Sequence, residues 1–410
     1  WLPPTCYDTI MIMLKKPDII TYCASQTEAD LAINAGADHL ILDHPSISLY
    51  SFIPPTPSDT LDSLHTLITY CKKTYPHITL SINCDILAHQ HHLPLMNQLS
   101  ALIQSNPVNF VRVQDVGLLY HFSKQCPTIY HAQMGNSSYL SVAEISNHAA
   151  RQTLSMDLPH TDISLIQTKT NTPLEIVVHG HCLIQYSQRR FLSSLTNDSP
   201  NHSKQIHLLA EDEDYPGRRF TFLDNPHGHF MFAYFDRSLL NDTDELKDCN
   251  LSGWIIDTRG QDKQYWQSCI TAYQNLCDPN PNLELAEKLF ATIKDIAPRP
   301  LKPGFFRMNQ TDKRRFKKVA HQAQDSQHVI GQVLDVVAKK RITILLKQTI
   351  KLGERFEVLH PKVESLTVEA SMLWDVDNKV VKSAGVGELV QLPWVKGIQQ
   401  HSLLLRTSEK

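Results

Sequence analysis

The chain has 410 residues, which is long for one domain and comfortable for two, and its hydrophobic content of 42% supports a large buried core rather than disorder. The formal net charge of -3 favours by itself neither nucleic acid nor a membrane surface. No apolar run reaches the length of about 18 residues that a bilayer-spanning helix needs, and the first residues make a poor signal peptide. We therefore expect no membrane partner.

The cysteines indicate a reduced environment. There are nine of them, an odd number, and no two have the C-x-x-C spacing of zinc or redox sites. The simple interpretation is a cytoplasmic protein in which most cysteines act as small core residues.

The first two-thirds of the chain alternates short β-rich runs with helix-like segments. A strand at 18–24 leads to a helix at 25–36, which has a serine cap and a glycine stop. The further predicted strands are 37–43, 77–83, 109–115 and 128–134, and the further predicted helices are 58–75, 93–105 and 116–125. Strands separated by single helices form parallel βα units, and so many in series predict an α/β fold, a TIM-like (β/α) barrel.

Side chains at the carboxyl ends of these strands are candidates for the functional site, because (β/α) barrels carry their chemistry there. This rule places the following residues on one rim: Asp43, Asn83, Asp115, Gln133 and a corner around His179. In that corner, a strand-like run at 176–178 meets His179, His181 and Cys182.

Two kinds of chemistry are open for the corner. Imidazole and thiolate are good ligands for zinc or iron, but a closed metal site needs four ligands at defined spacing, and the stretch lacks a second close pair. Cys182 beside a histidine could instead act as a nucleophile, which requires a depressed thiol pKa. We predict no metal site, and a catalytic thiol is the less favoured alternative.

The rest of the chain changes character twice. The polar, acidic stretch 199–217 predicts a surface loop, and strand-like runs follow at 228–235 and 252–260. From about residue 327, short alternating strands between glycine-containing and Asp-Asn turns predict a small antiparallel β-barrel. The predicted domains are a (β/α) barrel at 14–296, a basic, proline-rich linker at 297–326 and a β-barrel at 327–410.

Residues 298–320 of the linker carry eight basic residues against one acidic residue, with phenylalanines interleaved between them. Basic side chains neutralise phosphates and aromatic rings stack on unpaired bases, so this composition favours RNA contact. The alternative is a solvated linker or helix face, which is what a charge run usually forms. The predicted RNA-binding residues are Arg307, Lys313, Arg314, Arg315, Lys317 and Lys318.

Residues 174–195 resemble the signature of the U32 peptidase family, also called collagenase-like proteases. Glu175, Gly180, Leu192 and Ser193 occupy signature positions, and His179, Tyr186, Ser187 and Arg189 are similar to family residues. Fragments at 32–43, 81–89, 131–136, 228–240 and 253–260 also resemble the family, and 328–406 is similar to its C-terminal barrel. The resemblance therefore covers nearly the whole chain and implies the same two-domain fold.

The departures from the family concern its cysteines. The two signature cysteines fall on Leu183 and Arg190, and two further ones would fall near Gln205 and Leu209. Members of the tRNA-modifying branch use such cysteines to hold an iron–sulfur cluster, and these side chains cannot replace them. The resemblance therefore implies no cluster and no other cofactor. A family glutamate is replaced by Thr258, while Arg259 remains.

The C-terminal barrel and the basic linker favour the family branch that takes part in hydroxylating the wobble uridine of tRNA. The resemblance then implies tRNA as a partner and a cluster-bearing paralogue as a possible second one. A peptidase and a non-catalytic binding module are the alternatives. The residues expected to act in the site are His179, Tyr186, Arg189 and Arg259, and we expect Arg189 and Arg190 to bind an anion, since guanidinium suits phosphate or carboxylate.

Overall fold

The computed structural model describes residues 16–53, 60–132, 135–192, 205–211, 216–278, 281–307, 329–360 and 363–406. They belong to two compact units, divided between residues 309 and 310. The predicted linker bounds of 297 and 326 stay a prediction, because residues 308–328 lie outside the described part.

The first unit contains twelve strands and nine α-helices in its described residues. The strands are β1 Asp18–Cys23, β2 His39–Leu42, β3 Thr79–Asn83, β4 Phe110–Val113, β5 Thr128–His131, β6 Arg151–Thr153, β7 Leu174–Ser187, β8 Ile206–Glu211, β9 Arg219–Asn225, β10 Gly228–Ser238, β11 Gly253–Asp257 and β12 Leu301–Lys302. The helices are α1 Gln26–Asn34, α2 Asp62–Thr74, α3 Leu93–Ser105, α4 Val116–Phe122, α5 Tyr139–Ile145, α6 His160–Lys169, α7 Thr243–Asp248, α8 Lys263–Leu276 and α9 Leu283–Ile296, with one 3-10 turn at Gln90–His92.

Eight parallel strands close into a barrel. Strands β1 to β7 pair in chain order, and β11 pairs with both β7 and β1, which closes the ring. The predicted TIM-like (β/α) barrel is therefore confirmed. Residues 139–169, for which the sequence pattern predicted no element, supply α5, β6 and α6.

The helices follow the pattern that predicted them. Helix α1 begins after Ser25, whose side chain accepts a hydrogen bond from the backbone N–H of Glu28. In α2 the buried residues recur every three or four positions and so form one face towards the core. They are Leu64, Leu67, Ile68 and Cys71. Among the described residues, none of the helices combines the length and apolar character needed to cross a bilayer.

An antiparallel arm extends from the barrel wall. Strand β7 continues past the barrel and pairs with β10, which pairs with β9, which pairs with β8. The predicted surface loop at 199–217 is therefore wrong over Ile206–Glu211. Strand β8 is almost wholly exposed. Because it buries neither face, its sequence does not alternate between apolar and polar residues. Its backbone hydrogen bonds are made to β9.

The second unit is a small antiparallel β structure, as predicted. Its strands are β13 Val329–Val337, β14 Arg341–Leu346, β15 Ile350–Lys351, β16 Arg355–His360, β17 Val363–Glu369, β18 Ser383–Ala384, β19 Leu389–Pro393 and β20 Leu403–Arg406. Six of them form a half-barrel sheet in the order β17-β16-β20-β13-β14-β19, while β15 pairs with β18. Its core includes Ile330, Ile342, Phe356, Val390 and Leu404, all buried.

A buried ion pair lies inside the (β/α) barrel. Arg112 on β4 and Glu175 on β7 contact each other directly and are both fully buried. The hydroxyl of Thr153 donates to Glu175 at 2.8 Å, and Arg151 approaches Glu175 at 3.6 Å. Burial alone would raise the pKa of Glu175, but the two arginines outweigh burial and the pKa falls to about 2.

Replacing Glu175 by glutamine should destabilise the protein by about 3–5 kcal/mol, because it leaves the guanidinium of Arg112 buried without its carboxylate. The free energy of unfolding, measured by urea titration, checks this. The control is Glu284→Gln, which breaks the exposed pair with Lys288 on α9 and should cost about 0.3–0.5 kcal/mol. Equal losses for the two variants would contradict the argument.

Candidate functional site

A cavity of about 310 Å³ opens at the carboxyl end of the barrel strands. It lies where β1, β2 and β11 end, which is the rim that carries function in (β/α) barrels. Its lining residues are Thr21, Tyr22, Cys23, Ala24, Glu28, Asp43, Phe52, Ile53, Thr258, Arg259, Gly260, Gln261, Lys263 and Trp266. The volume is at the lower end of the roughly 300–1,000 Å³ of small-molecule sites.

Arg259 is held firmly in this rim. Its Nε and Nη2 donate to the two carboxylate oxygens of Asp257, at 2.8 and 2.7 Å, and its Nη1 donates to the carbonyl oxygen of Tyr50 at 2.7 Å. Its guanidinium carbon lies 3.7 Å from the ring centroid of Tyr22 and 4.1 Å from that of Tyr50. Bidentate pairing and ring stacking fix arginine more tightly than a single contact would. Arg259 therefore forms a rigid part of the cavity wall.

Electrostatics keep this pair charged. Burial by itself raises the pKa of Asp257, but the guanidinium of Arg259 outweighs burial and the pKa falls to about 2. Burial likewise lowers the pKa of Arg259, but the carboxylate of Asp257 leaves that pKa well above its usual value. Both groups are therefore ionised at physiological pH.

Two of the predicted rim residues, Asp43 and Asn83, lie together. The side-chain amide of Asn83 donates to Asp43 at 3.3 Å and to Asp85 at 3.1 Å, and the hydroxyl of Ser51 donates to Asp43 at 2.8 Å. Asp115 instead caps α4, where it accepts from the backbone N–H of Leu118. Gln133, the remaining rim prediction, lies outside the described residues.

Asp85 is a site residue that the sequence pattern did not single out. It is fully buried, and its carboxylate accepts from the backbone N–H of Leu49 at 2.7 Å, which anchors the segment that follows β2. The available signal was its place two residues after the end of β3, where side chains reach the rim.

The corner around His179 is not a polar turn, because β7 runs through it to Ser187. His179 lies within 2.8 Å of the Tyr265 hydroxyl and 3.3 Å of the Cys269 sulfur, both on α8, and burial lowers its pKa to about 4. It therefore packs between the barrel wall and a helix, and it does not line the cavity.

His181 lies near the cavity wall. Its Nε2 donates to the carbonyl oxygen of Arg259 at 2.7 Å, and its Nδ1 accepts from Arg299. Arg299 also pairs with the buried carboxylate of Asp236 at 3.3 Å, and the ring of Phe52 stacks on His181 with centroids 4.9 Å apart. This chain of contacts supports the segment 257–261 from behind.

The other predicted residues lie on the antiparallel arm. Tyr186 stacks on Phe230 and its hydroxyl donates to the carbonyl oxygen of His227 at 3.2 Å. Arg189 is exposed, and Arg190 lies 3.9 Å from the buried carboxylate of Asp224. Of the four residues expected to act in the site, Arg259 alone lines the cavity. The expected anion site at Arg189 and Arg190 stays a prediction.

The positions at which the resemblance places the family cysteines carry no iron ligand. Leu183 packs with Leu49, Tyr50, Phe230 and Phe232 in an apolar cluster. The side chain of Gln205 donates to the carbonyl oxygen of Ser51 at 3.1 Å, and Leu209 is exposed on β8. Aliphatic, amide and guanidinium groups do not hold a cluster, so these residues do not fit one.

Cys182 does not have the properties of a nucleophile. Burial raises the pKa of its thiol to about 12, and the nearby cation Arg237 reverses only part of that effect. A reactive cysteine needs a thiolate near neutral pH. The thiol of Cys182 is therefore protonated under physiological conditions.

The basic segment is described only at its start. Arg307 pairs with Asp242, and the ammonium group of Lys302 donates to the hydroxyl of Tyr234 at 2.7 Å. Lys313, Arg314, Arg315, Lys317 and Lys318 lie outside the described residues. Their predicted contact with RNA stays a prediction.

Fold and site together define an eight-stranded (β/α) barrel protein with a polar cavity at its carboxyl rim and a second, all-β unit. The family model described as "Peptidase family U32" matches residues 25–315, and the model of that family's C-terminal domain matches residues 325–406. The chain belongs to peptidase family U32.

Solved structures give more distant similarities. The C-terminal domain of a U32 peptidase from Geobacillus thermoleovorans has 18% identity and a TM-score of 0.19, covering 20% of this chain and 96% of its own. The U32 peptidase Mk0906 has 14% identity and a TM-score of 0.34, covering 40% and 69%. A chitinase from Chromobacterium violaceum has 8% identity and a TM-score of 0.33, covering 62% and 98%. None of the curated proteins compared with the chain matches it.

Replacing Gly180 by alanine should disrupt the rim. Gly180 has a φ of +122°, and a Cβ there would lie 1.8 Å from the carbonyl oxygen of Asp257. Gly217 is the matched control, since its φ of +89° is also positive but nothing lies within 4 Å of its Cβ position. Gly217→Ala should cost about 1–2 kcal/mol in unfolding free energy for backbone strain. Gly180→Ala should cost at least about 1–3 kcal/mol more for the steric clash, and equal costs would contradict this explanation.

Proposed function

We propose that this U32 family member takes part in hydroxylating the wobble uridine of tRNA, as a cluster-free protein that binds the RNA beside a cluster-bearing paralogue. The proposed setting is the cytoplasm. The protein would contribute substrate binding, and the paralogue would contribute the redox chemistry.

The observation that carries this proposal is the contrast between the barrel rim and the antiparallel arm beside it. The cavity beside Arg259 keeps a buried, charged and hydrogen-bonded wall. The positions that hold cluster cysteines in the family instead carry Leu183, which is packed in apolar contacts, and Arg190, which lies near Asp224. A protein that keeps a ligand cavity without cluster ligands suits a binding partner better than a redox enzyme.

A peptidase is the second candidate function, and the family's name favours it. The protonation state of the described thiols does not favour a cysteine peptidase. Burial raises the pKa of Cys182 to about 12, and Cys269, which is paired with His179, has a pKa raised well above normal for the same reason. Both thiols therefore lack the thiolate that a cysteine nucleophile needs.

Deleting the gene should remove or reduce the hydroxylated wobble uridine in cellular tRNA. Mass spectrometry of tRNA nucleosides from cells with and without the gene measures this, and the full-length gene supplied in trans is the control. An unchanged profile in the strain that lacks only this gene would refute the proposed function.

Reversing the charge of the basic segment tests the RNA contact. The variant Arg314→Glu, Arg315→Glu, Lys317→Glu, Lys318→Glu should bind tRNA more weakly. The slope of log affinity against log salt should fall by about 0.7–0.9 for each phosphate that the segment no longer neutralises.

The matched control for this variant makes the same total change in charge elsewhere. It replaces Lys339, Lys340, Lys379 and Lys382, which lie in the second unit, by glutamate. If both variants lose affinity equally, the effect is one of net charge and the segment is not a specific RNA contact.

A further inference from the structure

Thr258 is a polar residue of the cavity whose buried hydroxyl makes no hydrogen bond to the described part of the chain. The residue is 5% exposed. A buried hydroxyl without a partner costs free energy unless a ligand or water satisfies it. Because Thr258 lines the cavity, a bound molecule that reached its hydroxyl would satisfy it.

Gln261 supplies a second polar atom, and its orientation is fixed. Its side-chain Nε2 donates to Asp236 at 2.9 Å, so its Oε1 points away from that carboxylate. Within the described part of the chain this buried Oε1 has no partner either. An amide oxygen can only accept, whereas a threonine hydroxyl can donate or accept. Both residues line the cavity, so a ligand that presented a donor to Gln261 and a partner to the Thr258 hydroxyl would satisfy both atoms.

The cavity walls around these atoms are aromatic. Tyr22 and Trp266 are buried, and Phe52 is half-buried. The indole N–H of Trp266 donates to the hydroxyl of Thr21 at 2.8 Å, which fixes the ring on the barrel wall. Flat walls of this kind favour a planar ring as the occupant.

The ionisable groups of the lining balance one another. Glu28 and Asp43 carry negative charge, and Arg259 and Lys263 carry positive charge. Glu28 is engaged in accepting from the backbone N–H of Ala24 at 2.8 Å, and Arg259 is paired with Asp257. Lys263 is exposed at the start of α8. A lining that is neutral overall and whose exposed cation is Lys263 suits an uncharged ring attached to a phosphodiester.

We infer that the cavity holds an unpaired nucleobase, with Thr258 and Gln261 as the residues that read its edge. Every base presents a hydrogen-bond donor beside an acceptor on its Watson–Crick edge, and proteins that act on one base take it out of the stack into such a pocket. This inference rests on the proposed function, under which the base is the wobble uridine. The base would enter the cavity beside Arg259, and Thr258 and Gln261 would recognise it.

The experiment uses the full chain and an anticodon stem-loop RNA that carries 4-thiouridine at the wobble position. Near-ultraviolet irradiation joins the thiobase to side chains in contact with it, and mass spectrometry of peptides locates the link. The expected links are to peptides that contain Tyr22, Phe52 or Trp266. The same RNA with 4-thiouridine in its stem is the control and should not link to these peptides.

A pair of threonine variants sharpens the test. Thr258→Val keeps the shape and removes the hydroxyl, and it should reduce the wobble crosslink about three- to tenfold, the effect expected for one hydrogen bond. Thr271→Val on α8 is the matched control, because its hydroxyl bonds to the carbonyl oxygen of Ala35 and it does not line the cavity. It should leave the crosslink unchanged. Thermal unfolding of both variants verifies that they are folded.

The failures of the two proposals are distinguishable. If the RNA binds but wild-type protein crosslinks only at the basic segment or in the second unit, the nucleobase pocket is overturned while the proposed function stands. If Thr258→Val and Thr271→Val crosslink equally, Thr258 does not read the base. If the RNA does not bind and the nucleoside profile of the deletion strain is unchanged, the proposed function fails and the pocket fails with it.

Discussion

The rim depends on the ion pair between Arg259 and Asp257. Both oxygens of the carboxylate are used, and the guanidinium is covered by the rings of Tyr22 and Tyr50, so the pair has one geometry. It connects the end of β11 to the end of β1 and to the segment that follows β2. A buried pair of this kind is costly to desolvate, and removing either partner would leave the other charge buried and uncompensated. The cavity is therefore bounded by a wall that does not rearrange easily.

A second buried network lies beside the first. Asp43, Asn83 and Asp85 are joined by hydrogen bonds and hold the segment that carries Tyr50 and Phe52. That segment contributes to the aromatic wall of the cavity and to the apolar cluster around Leu183. The segment that carries Tyr50 and Phe52 therefore borders the cavity on one side and the apolar cluster around Leu183 on the other. This arrangement is the basis for proposing substrate binding without cluster chemistry.

Sequence patterns predicted the barrel because each βα unit leaves a local signal, such as the cap at Ser25 or the buried face at Leu64 and Leu67. They missed β8, whose exposed residues carry no alternation. They also grouped His179 with the rim, although the glycine at 180 and the register shift between β7 and β11 leave that side chain under α8. Thr258 and Gln261 could not be singled out, because a missing hydrogen-bond partner is a property of three-dimensional surroundings and not of residue type.

The length of β7 has a mechanical consequence. Its first half is a wall strand of the barrel and its second half is the spine of the antiparallel arm, with no loop between the two. A continuous strand that pairs with neighbours along both halves bends less freely than a loop would. A displacement of the arm is therefore transmitted to Gly180, which pairs with Asp257 at the rim.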